Sequence, residues 1–386
     1  MVLLSKQLVK KVENSFGTFE LMMKYKVYPS YVQTFNLFRL IKDNNDIDRA
    51  IKYWNLLKDN NYRHLYDDSY INIILNIFKQ SSRYNEAITF CEDILKEGKY
   101  RPNKGYNASI SSIISIYGSV GDYIGAVKYF DYYLKTSNEN KPDLVIFNSI
   151  INAHSNSKNI DGALYYYQIM LSDYNIKPDI VTYTSILKGY EICGDTKNIN
   201  NIFNTMINSG VEVNIQTMDT IIRAFAKTGE VSEALRYFDM LNEYNLKPNS
   251  YTLSAIISAH AKVKDKEGVA KYFLMMYEVY NLQPHISMIN GILMAWIGYD
   301  GNFTFNDIDE ILKFLDIFNL KKDSHIYYQL LLACKIKNDE NRAYAIFDEI
   351  LSRPDIGTPD ILCNAMVNII GHNTFIEKYN HKLIKK

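Results

Sequence analysis

The side chains best suited to metal binding or nucleophilic catalysis in this chain are its seven histidines and four cysteines. Zinc sites and zinc deaminases need such residues at short fixed spacings, as in HxxxH or in HxE followed by CxxC. Neither spacing occurs, and the chain also lacks GxxxxGK[ST] and GxGxxG phosphate loops. The sequence therefore predicts no catalytic residue, no metal site, no cofactor and no enzyme.

Composition and charge exclude several other classes of protein. Of the 386 residues, 47% are hydrophobic and 22% are charged, which is typical of a folded chain. Lys+Arg and Asp+Glu both number 43, so a generic polycation that coats nucleic acid is not expected. No apolar run reaches the roughly 18 residues that a membrane span needs. The scattered cysteines do not form a disulfide framework.

Proline spacing reveals an internal repeat. Seven of the eight prolines stand near one or two multiples of about 35 to 37 residues apart, the range of helical-repeat periods: Pro29, Pro102, Pro142, Pro178, Pro248, Pro284 and Pro359. Where a proline is missing the frame persists, because Val213 lies midway between Pro178 and Pro248. A fixed period of this length predicts a helical array in place of separate globular domains.

A second pattern follows the same frame. A small or β-branched residue recurs once per repeat, at Ala50, Ala87, Ala126, Ala163, Ile199, Ala234, Val269 and Ala343. Four residues later comes a residue that is aromatic in all but one case, at Trp54, Cys91, Phe130, Tyr167, Phe203, Phe238, Phe273 and Phe347. Positions i and i+4 share one helix face, so a small residue lets two helices approach and the larger residue fills the space beside it.

Each repeat has the pattern of two helices. In 144–179, Phe147, Ile150 and Ile151 form one apolar face, a polar break follows, and a second amphipathic stretch begins near Ile160. Proline followed by Asp or Asn then closes the repeat, because Asp and Asn cap the next helix. No useful stretch alternates with period two, so an all-α fold without a sheet is predicted.

The frame gives a domain organisation. We expect a degenerate half-repeat in 1–30 that could include a weak targeting segment, nine repeats in 31–360, and a closing helix with a basic tail in 361–386. The repeats are 31–67, 68–103, 104–143, 144–179, 180–214, 215–249, 250–285, 286–323 and 324–360.

Three stretches, 142–151, 177–184 and 228–238, resemble the pentatricopeptide repeat family, and the resemblance covers roughly residues 15–370. Tetratricopeptide repeats, which mostly bind proteins, are the nearest alternative. The resemblance implies a right-handed α-solenoid superhelix of about nine helix-turn-helix repeats of roughly 35–38 residues. It also implies a groove that holds single-stranded RNA, with about one nucleotide per repeat.

In the family, an early residue of the first helix and the last residue of the repeat contact one base, and we call these two a base-reading pair. Carried over, the pairs are Asn72 with Asn103, Ser111 with Asp143, Asn148 with Asp179, Thr184 with Asn214, Asp219 with Asn249, Ser254 with His285, Asn290 with Asp323, and Tyr328 with Asp360. In the first repeat the base-reading residue is either Phe35 or Asn36, and Asp67 is the last residue of the repeat. Helix capping alone also explains an Asp or Asn at the last position.

The resemblance assigns bases to five pairs. The Asn148 and Asn290 pairs look like readers of U, the Thr184 pair like a reader of A, the Asn72 pair like a pyrimidine reader and the Ser111 pair like a reader of G. Val145 and Val181 fit the family's apolar base clamp, whereas Gln216, Ser287 and His325 depart from it. Basic residues near the ends of first helices predict about four phosphate contacts: Lys79, Lys227, Lys262 and Lys335.

The expected function is a non-catalytic, sequence-selective RNA-binding protein of an organelle, a mitochondrion by family resemblance. It would act in transcript stability, processing or translation, with protein partners from an organellar RNA-processing or translation complex. Lys6, Lys10 and Lys11 could begin a targeting peptide, and a structural helix is the alternative. Two other hypotheses stay open: a scaffold that binds a protein or peptide, and a structural subunit of the mitochondrial ribosome.

Overall fold

The computed structural model describes residues 15–62, 68–96, 106–136, 141–298, 301–353, 356 and 360–383. Helices make up most of these ranges, and no strand occurs within them, so the all-α fold class is confirmed. The described part of the chain falls into two compact units, Met1–Glu212 and Val213–Lys386.

The helices follow one another in pairs after an initial helix. The first unit holds α1 (15–24), α2 (Tyr31–Asp43), α3 (Ile47–Asp59), α4 (Asp68–Gln80), α5 (Tyr84–Lys96), α6 (Tyr106–Ser119), α7 (Tyr123–Thr136), α8 (Leu144–Asn156), α9 (Ile160–Ser172), α10 (Ile180–Cys193) and α11 (Ile199–Asn208). The second holds α12 (Ile215–Thr228), α13 (Val231–Glu243), α14 (Ser250–Lys262), α15 (Lys266–Leu274, continued by a π-helical turn Met275–Val279), α16 (Ile286–Ile297), α17 (Phe305–Ile317), α18 (Ser324–Lys337), α19 (Glu340–Ser352), α20 (Asp360–Ile370) and α21 (His372–Leu383). From α2 onward we call the even-numbered helices first helices and the odd-numbered ones second helices.

The C-terminal region differs from the single closing helix that the sequence analysis expects. Two helices, α20 and α21, begin at Asp360 and His372, and Gly371 separates them with a positive φ of 84°. A left-handed residue at this point ends a helix and allows the chain to turn back.

Packing follows the repeat. In the first unit α2, α4, α6, α8 and α10 pack on one another in order, and in the second α12, α14, α16, α18 and α20 do the same. Second helices pack on the first helices of their own pairs. All sixteen positions of the small and aromatic pattern are buried, with Phe238 the most exposed at 8%. Each unit is therefore a stack of helix pairs, as the period predicts.

The last residue of a repeat starts the next first helix. Asp143, Asp179, Asn214, Asn249 and Asp323 each precede a first helix, and one side-chain oxygen of each accepts a hydrogen bond of 2.9 to 3.0 Å from the N–H three residues later. Such capping satisfies a backbone donor that the helix leaves unpaired. Because it uses only one side-chain oxygen, it leaves the rest of each carboxylate or amide for other contacts.

Gly118 marks a close approach of two first helices. A Cβ on Gly118 of α6 would lie 2.7 Å from Cα of Ala153 in α8, and backbone cannot move aside cheaply. We expect Gly118→Ala to lower the free energy of unfolding by about 1–3 kcal/mol, measured by urea denaturation.

Gly291→Ala is the matched control, because a Cβ on Gly291 of α16 would meet no atom within 4 Å. This variant should be neutral or more stable by up to about 1 kcal/mol, since alanine favours helix. Equal stabilities for the two variants would show that the approach at Gly118 is not tight.

Candidate nucleic-acid interface

Three of the predicted base-reading pairs are in direct contact. In the first unit Nδ2 of Asn148 on α8 donates to Oδ1 of Asp179 at 3.0 Å. In the second unit Nδ2 of Asn249 donates to Oδ2 of Asp219 at 2.7 Å. Nδ2 of Asn290 lies 3.4 and 3.1 Å from the two carboxylate oxygens of Asp323. Residues about thirty positions apart are thus brought together at the start of a first helix.

Two other pairs of the first unit have different surroundings. Oδ1 of Asn72 accepts from the hydroxyl of Ser112 at 2.9 Å, and its predicted partner Asn103 lies outside the described residues. Ser111 is buried, and its hydroxyl donates to the carbonyl of Ala108 in its own helix at 2.9 Å. The structure therefore places the Ser111 hydroxyl against the helix backbone.

The remaining positions lie on first helices or at their caps. Thr184 is half-buried on α10 of the first unit, and Asn214 caps α12 of the second by accepting from the N–H of Thr217. Ser254 and Tyr328 are half-buried on α14 and α18. His285 is exposed and makes no capping hydrogen bond with its side chain.

Apolar side chains project from the first turns of several first helices. Val145 and Val181 are 57% and 50% exposed, although both are aliphatic. Tyr251 occupies the same turn of α14 and is 76% exposed, and Val32 on α2 is 63% exposed. Exposed apolar or aromatic faces suit stacking against bases. The sequence analysis did not include Tyr251 and Val32, which counting from the helix caps would have identified.

The four predicted phosphate-binding lysines differ in exposure. Lys227, Lys262 and Lys335 are exposed, whereas Lys79 is half-buried and burial lowers its pKa. The ammonium of Lys262 donates to the carbonyl oxygen of Lys227, near the C-terminal end of α12. Lys335 shares a groove between α18 and α20 with Tyr328 and Asn364. In the second unit, Lys227, Lys262 and Lys335 therefore lie on the same first helices as the base-reading positions Asp219, Ser254 and Tyr328.

Charge is separated between the two kinds of helix even though the whole chain is neutral. In α2 to α18 the first helices carry more basic than acidic residues, with Arg39, Lys42, Lys79, Lys188, Arg223, Lys227, Lys262, Lys335 and Lys337 against Asp43, Asp68, Glu191 and Asp219. The second helices taken together have the opposite bias, although α3 and α7 carry more basic than acidic residues. The acidic bias is clearest in α17, where Lys313 is the one basic residue among Asp307, Asp309, Glu310 and Asp316. Zero net charge therefore conceals a basic set of first helices.

Other kinds of site find no support in the described residues. No group of three or more His, Cys, Asp or Glu side chains is arranged to hold a metal in that part of the chain. None of the helices there combines the length and the apolar content that crossing a bilayer requires.

Known proteins are similar to this chain over limited lengths. A profile of the PPR repeat family matches residues 142–192, 178–227 and 213–262. Small ribosomal subunit protein mS79 (rPPR3b) of Arabidopsis thaliana is 32% identical over 103 residues, 27% of this chain and 25% of that protein. The chloroplastic pentatricopeptide repeat-containing protein PPR5 of Zea mays is 29% identical over 140 residues, 35% of this chain and 28% of that protein. The chain thus spans about a quarter of the length of these relatives.

Two solved structures are similar at low sequence identity. The crystal structure of pentatricopeptide repeat protein PPR10 from maize is 14% identical with a TM-score of 0.47, covering 99% of this chain and 63% of that one. Yeast Rmd9p in complex with a 16-nucleotide target RNA is 14% identical with a TM-score of 0.40, covering 99% and 78%. Within 142–262 the family profile covers Pro142, Pro178 and Pro248 of the repeat spacing and the capped first helices α8, α10, α12 and α14. Residues 142–262 are therefore pentatricopeptide repeats, and the resemblance of this chain to the pentatricopeptide repeat family is confirmed.

Proposed function

We propose that this protein binds single-stranded RNA along its first helices, reads about one nucleotide per repeat and does so without catalysing a reaction. The proposal rests on three separate side-chain hydrogen bonds. They join Asn148 with Asp179, Asp219 with Asn249, and Asn290 with Asp323. Each contact joins an amide to a carboxylate next to a helix start, and five of the six residues are half-buried, whereas Asp219 is buried at 8% exposure. Such a pair can offer a base edge a donor and an acceptor side by side.

The hydrogen bonds of the Asn148 pair favour one base. An amide has two N–H groups, and one of those on Asn148 is used by Asp179. Within the described residues, every hydrogen bond found on the Asp179 carboxylate is to Oδ1, so Oδ2 can accept another. The second N–H and Oδ2 complement O4 and N3–H of uracil. This reasoning favours U, in agreement with the family resemblance.

The charge separation supports a nucleic-acid ligand over a protein segment. Basic first helices attract phosphates, while the acidic second helices account for the neutral total. Exposed Val145, Val181 and Tyr251 would contact base faces next to the pairs. Bound RNA would then be denied to nucleases and to competing RNA structure.

We place this activity in an organelle, with the mitochondrion as the first candidate from family resemblance, and in transcript stability, processing or translation. The similarity to PPR5, chloroplastic, of Zea mays is compatible with an organelle in general. Similarity to a small ribosomal subunit protein favours a second candidate role, as a ribosome-associated subunit that holds RNA. Both roles use the same RNA-binding surface.

Fluorescence anisotropy with labelled single strands of about nine nucleotides rich in U and A tests the proposal. We expect binding that weakens as salt rises, with a slope of log Kobs against log salt near −3 for about four phosphate contacts. Duplex RNA of the same sequence is the control and should bind less. Absence of binding at about 50 mM salt, with a protein or peptide captured instead, would support the scaffold hypothesis.

A paired substitution tests base reading. Asn148→Thr with Asp179→Asn copies the Thr184 and Asn214 pair, so we expect the preference at one nucleotide to move from U towards A by about tenfold. Asparagine also caps helices well, so the fold should survive the change. Asn159→Asp, at the cap of second helix α9, is the control and should leave every base preference unchanged. A preference that the paired variant does not alter would exclude Asn148 and Asp179 as base-reading residues.

A further inference from the structure

A threonine hydroxyl lies at the centre of the Asn148–Asp179 contact. Oγ1 of Thr182, a fully buried residue on α10, is 2.6 Å from Oδ1 of Asn148 and 2.9 Å from Oδ1 of Asp179. It also accepts from the backbone N–H of Asp179 at 3.2 Å. A hydroxyl has one hydrogen to donate. Asp179 Oδ1 already accepts from the N–H of Thr182 and from Nδ2 of Asn148, so the hydroxyl hydrogen belongs on the shorter bond to Asn148.

This bond fixes the direction of the Asn148 amide. Its oxygen faces the Thr182 hydroxyl and its nitrogen faces the Asp179 carboxylate. A flipped amide would set its oxygen against the carboxylate and lose the hydroxyl donor. Asn148 is therefore held so that a ligand meets an N–H group and not the amide oxygen.

The same device occurs in the second unit with the acid and the amide exchanged. Thr252, also fully buried, donates its hydroxyl to Oδ1 of Asp219 at 2.5 Å and accepts from the backbone N–H of Asn249 at 3.1 Å. Asn249 donates to the other oxygen of Asp219. In both pairs the threonine hydroxyl donates to the residue on the preceding first helix. That residue is the amide Asn148 in one pair and the carboxylate Asp219 in the other.

The Asn290 pair has no threonine at this position, and the amide oxygen of Asn290 therefore lacks the hydroxyl donor. It has the same residue types as the Asn148 pair, but Ile326 stands where Thr182 stands, three residues after Asp323. Oδ1 of Asn290 is buried and has no hydrogen-bond partner among the described residues. Among the described residues, the contact with Asp323 is the one that orients this amide, so one of the two constraints seen at Asn148 is missing.

We propose that Thr182 and Thr252 are positioning residues that set base selectivity in the repeat before them, and that Ile326 leaves the Asn290 pair less selective. The inference rests on the proposed binding of RNA. Thr182 need not touch the RNA, because it acts through the orientation of Asn148.

Selection from a random single-stranded RNA pool by the purified full chain tests this inference. Thr182→Val keeps the shape but removes the hydroxyl, and we expect the uracil preference at the nucleotide facing Asn148 to fall about five- to tenfold. Thr182→Ser should restore it. Ile326→Thr should raise selectivity by a similar factor at a different nucleotide, which faces Asn290, and other positions should not change.

The selection distinguishes a failure of RNA binding from a failure of the threonine to position Asn148. If the wild-type chain enriches no sequence, the proposed function fails and the inference fails with it. If the wild-type chain is selective and Thr182→Val keeps the same base profile, the inference alone is overturned. A purely structural role for Thr182 would lower the melting temperature and weaken binding to all sequences equally, which also overturns it.

Discussion

Replacing Lys79, Lys227, Lys262 and Lys335 together with glutamine is expected to weaken RNA binding by at least about tenfold at roughly 100 mM salt and to remove most of its salt dependence. Each ammonium that neutralises a phosphate of a single strand releases counterions and adds about 0.7 to the salt slope. Lys79 should contribute least, because it is half-buried and burial lowers its pKa. Anisotropy titrations over a range of salt concentrations measure both effects.

The control is a second set of four exposed lysines, which lie on second helices: Lys96, Lys128, Lys271 and Lys313. Their replacement by glutamine changes the net charge by the same amount. If RNA follows the first helices, this control should bind nearly as well as the wild-type chain. Equal losses in the two variants would mean that the overall charge of the protein, and not the first helices, attracts the RNA.

The second large effect concerns acid stability and comes from His154. The ring is 4% exposed, and neither of its nitrogens has a hydrogen-bond partner within the described residues. It lies between Tyr123 and Tyr166, with ring centroids 5.1 Å away on each side, and a Cβ on Gly162 would overlap it. Because burial penalises the charged imidazolium, the pKa of His154 falls to about 4.

A lowered histidine pKa makes the fold sensitive to acid. Below about pH 6.5 the unfolded chain protonates His154, while the folded chain keeps it neutral until about pH 4. The contribution of the neutral His154 ring to the free energy of unfolding is therefore fully present well above pH 6.5 and is lost as the pH drops towards 4. The stability lost between pH 7.5 and pH 5 is about 2 kcal/mol from this residue alone.

His154→Phe keeps an aromatic ring and removes the titration, so its free energy of unfolding should fall about 2 kcal/mol less than that of the wild-type chain over this range. Urea denaturation at the two pH values measures the difference. His325→Gln is the control, because the side chain of His325 is 84% exposed, and it should behave as the wild-type chain does. The same loss in His154→Phe as in the wild-type chain would contradict the account.

The fold was predictable because its determinants are local and recur. A small residue such as Ala163 with an aromatic residue four positions later, Tyr167, predicts one buried helix face. Asp179 directly before Ile180 predicts the start of a helix. Neither signal needs knowledge of distant residues. The second closing helix, α21, was missed because the stretch after Ile370 has no further copy of the repeat to align it with.

The candidate site was predictable only in part. Family resemblance supplied Asn148 and Asp179, but the contact of Thr182 with Asn148 joins residues 34 positions apart and depends on the stacking distance between helices. Tyr251 went unnoticed because tyrosine is abundant in this chain and an aromatic residue is first expected in the core. Net charge concealed the charge separation, which becomes visible once each residue is assigned to a first or second helix.

Crosslinking in cells would show whether RNA lies along the first helices of this protein. Ultraviolet light would join the protein to bound RNA, sequencing would identify the RNA, and mass spectrometry would locate the modified peptides. The account predicts adducts on first-helix starts, in 144–149, 180–184 and 250–254, with uracil enriched opposite the Asn148 pair. Adducts confined to second helices, or a protein recovered in place of RNA, would contradict it.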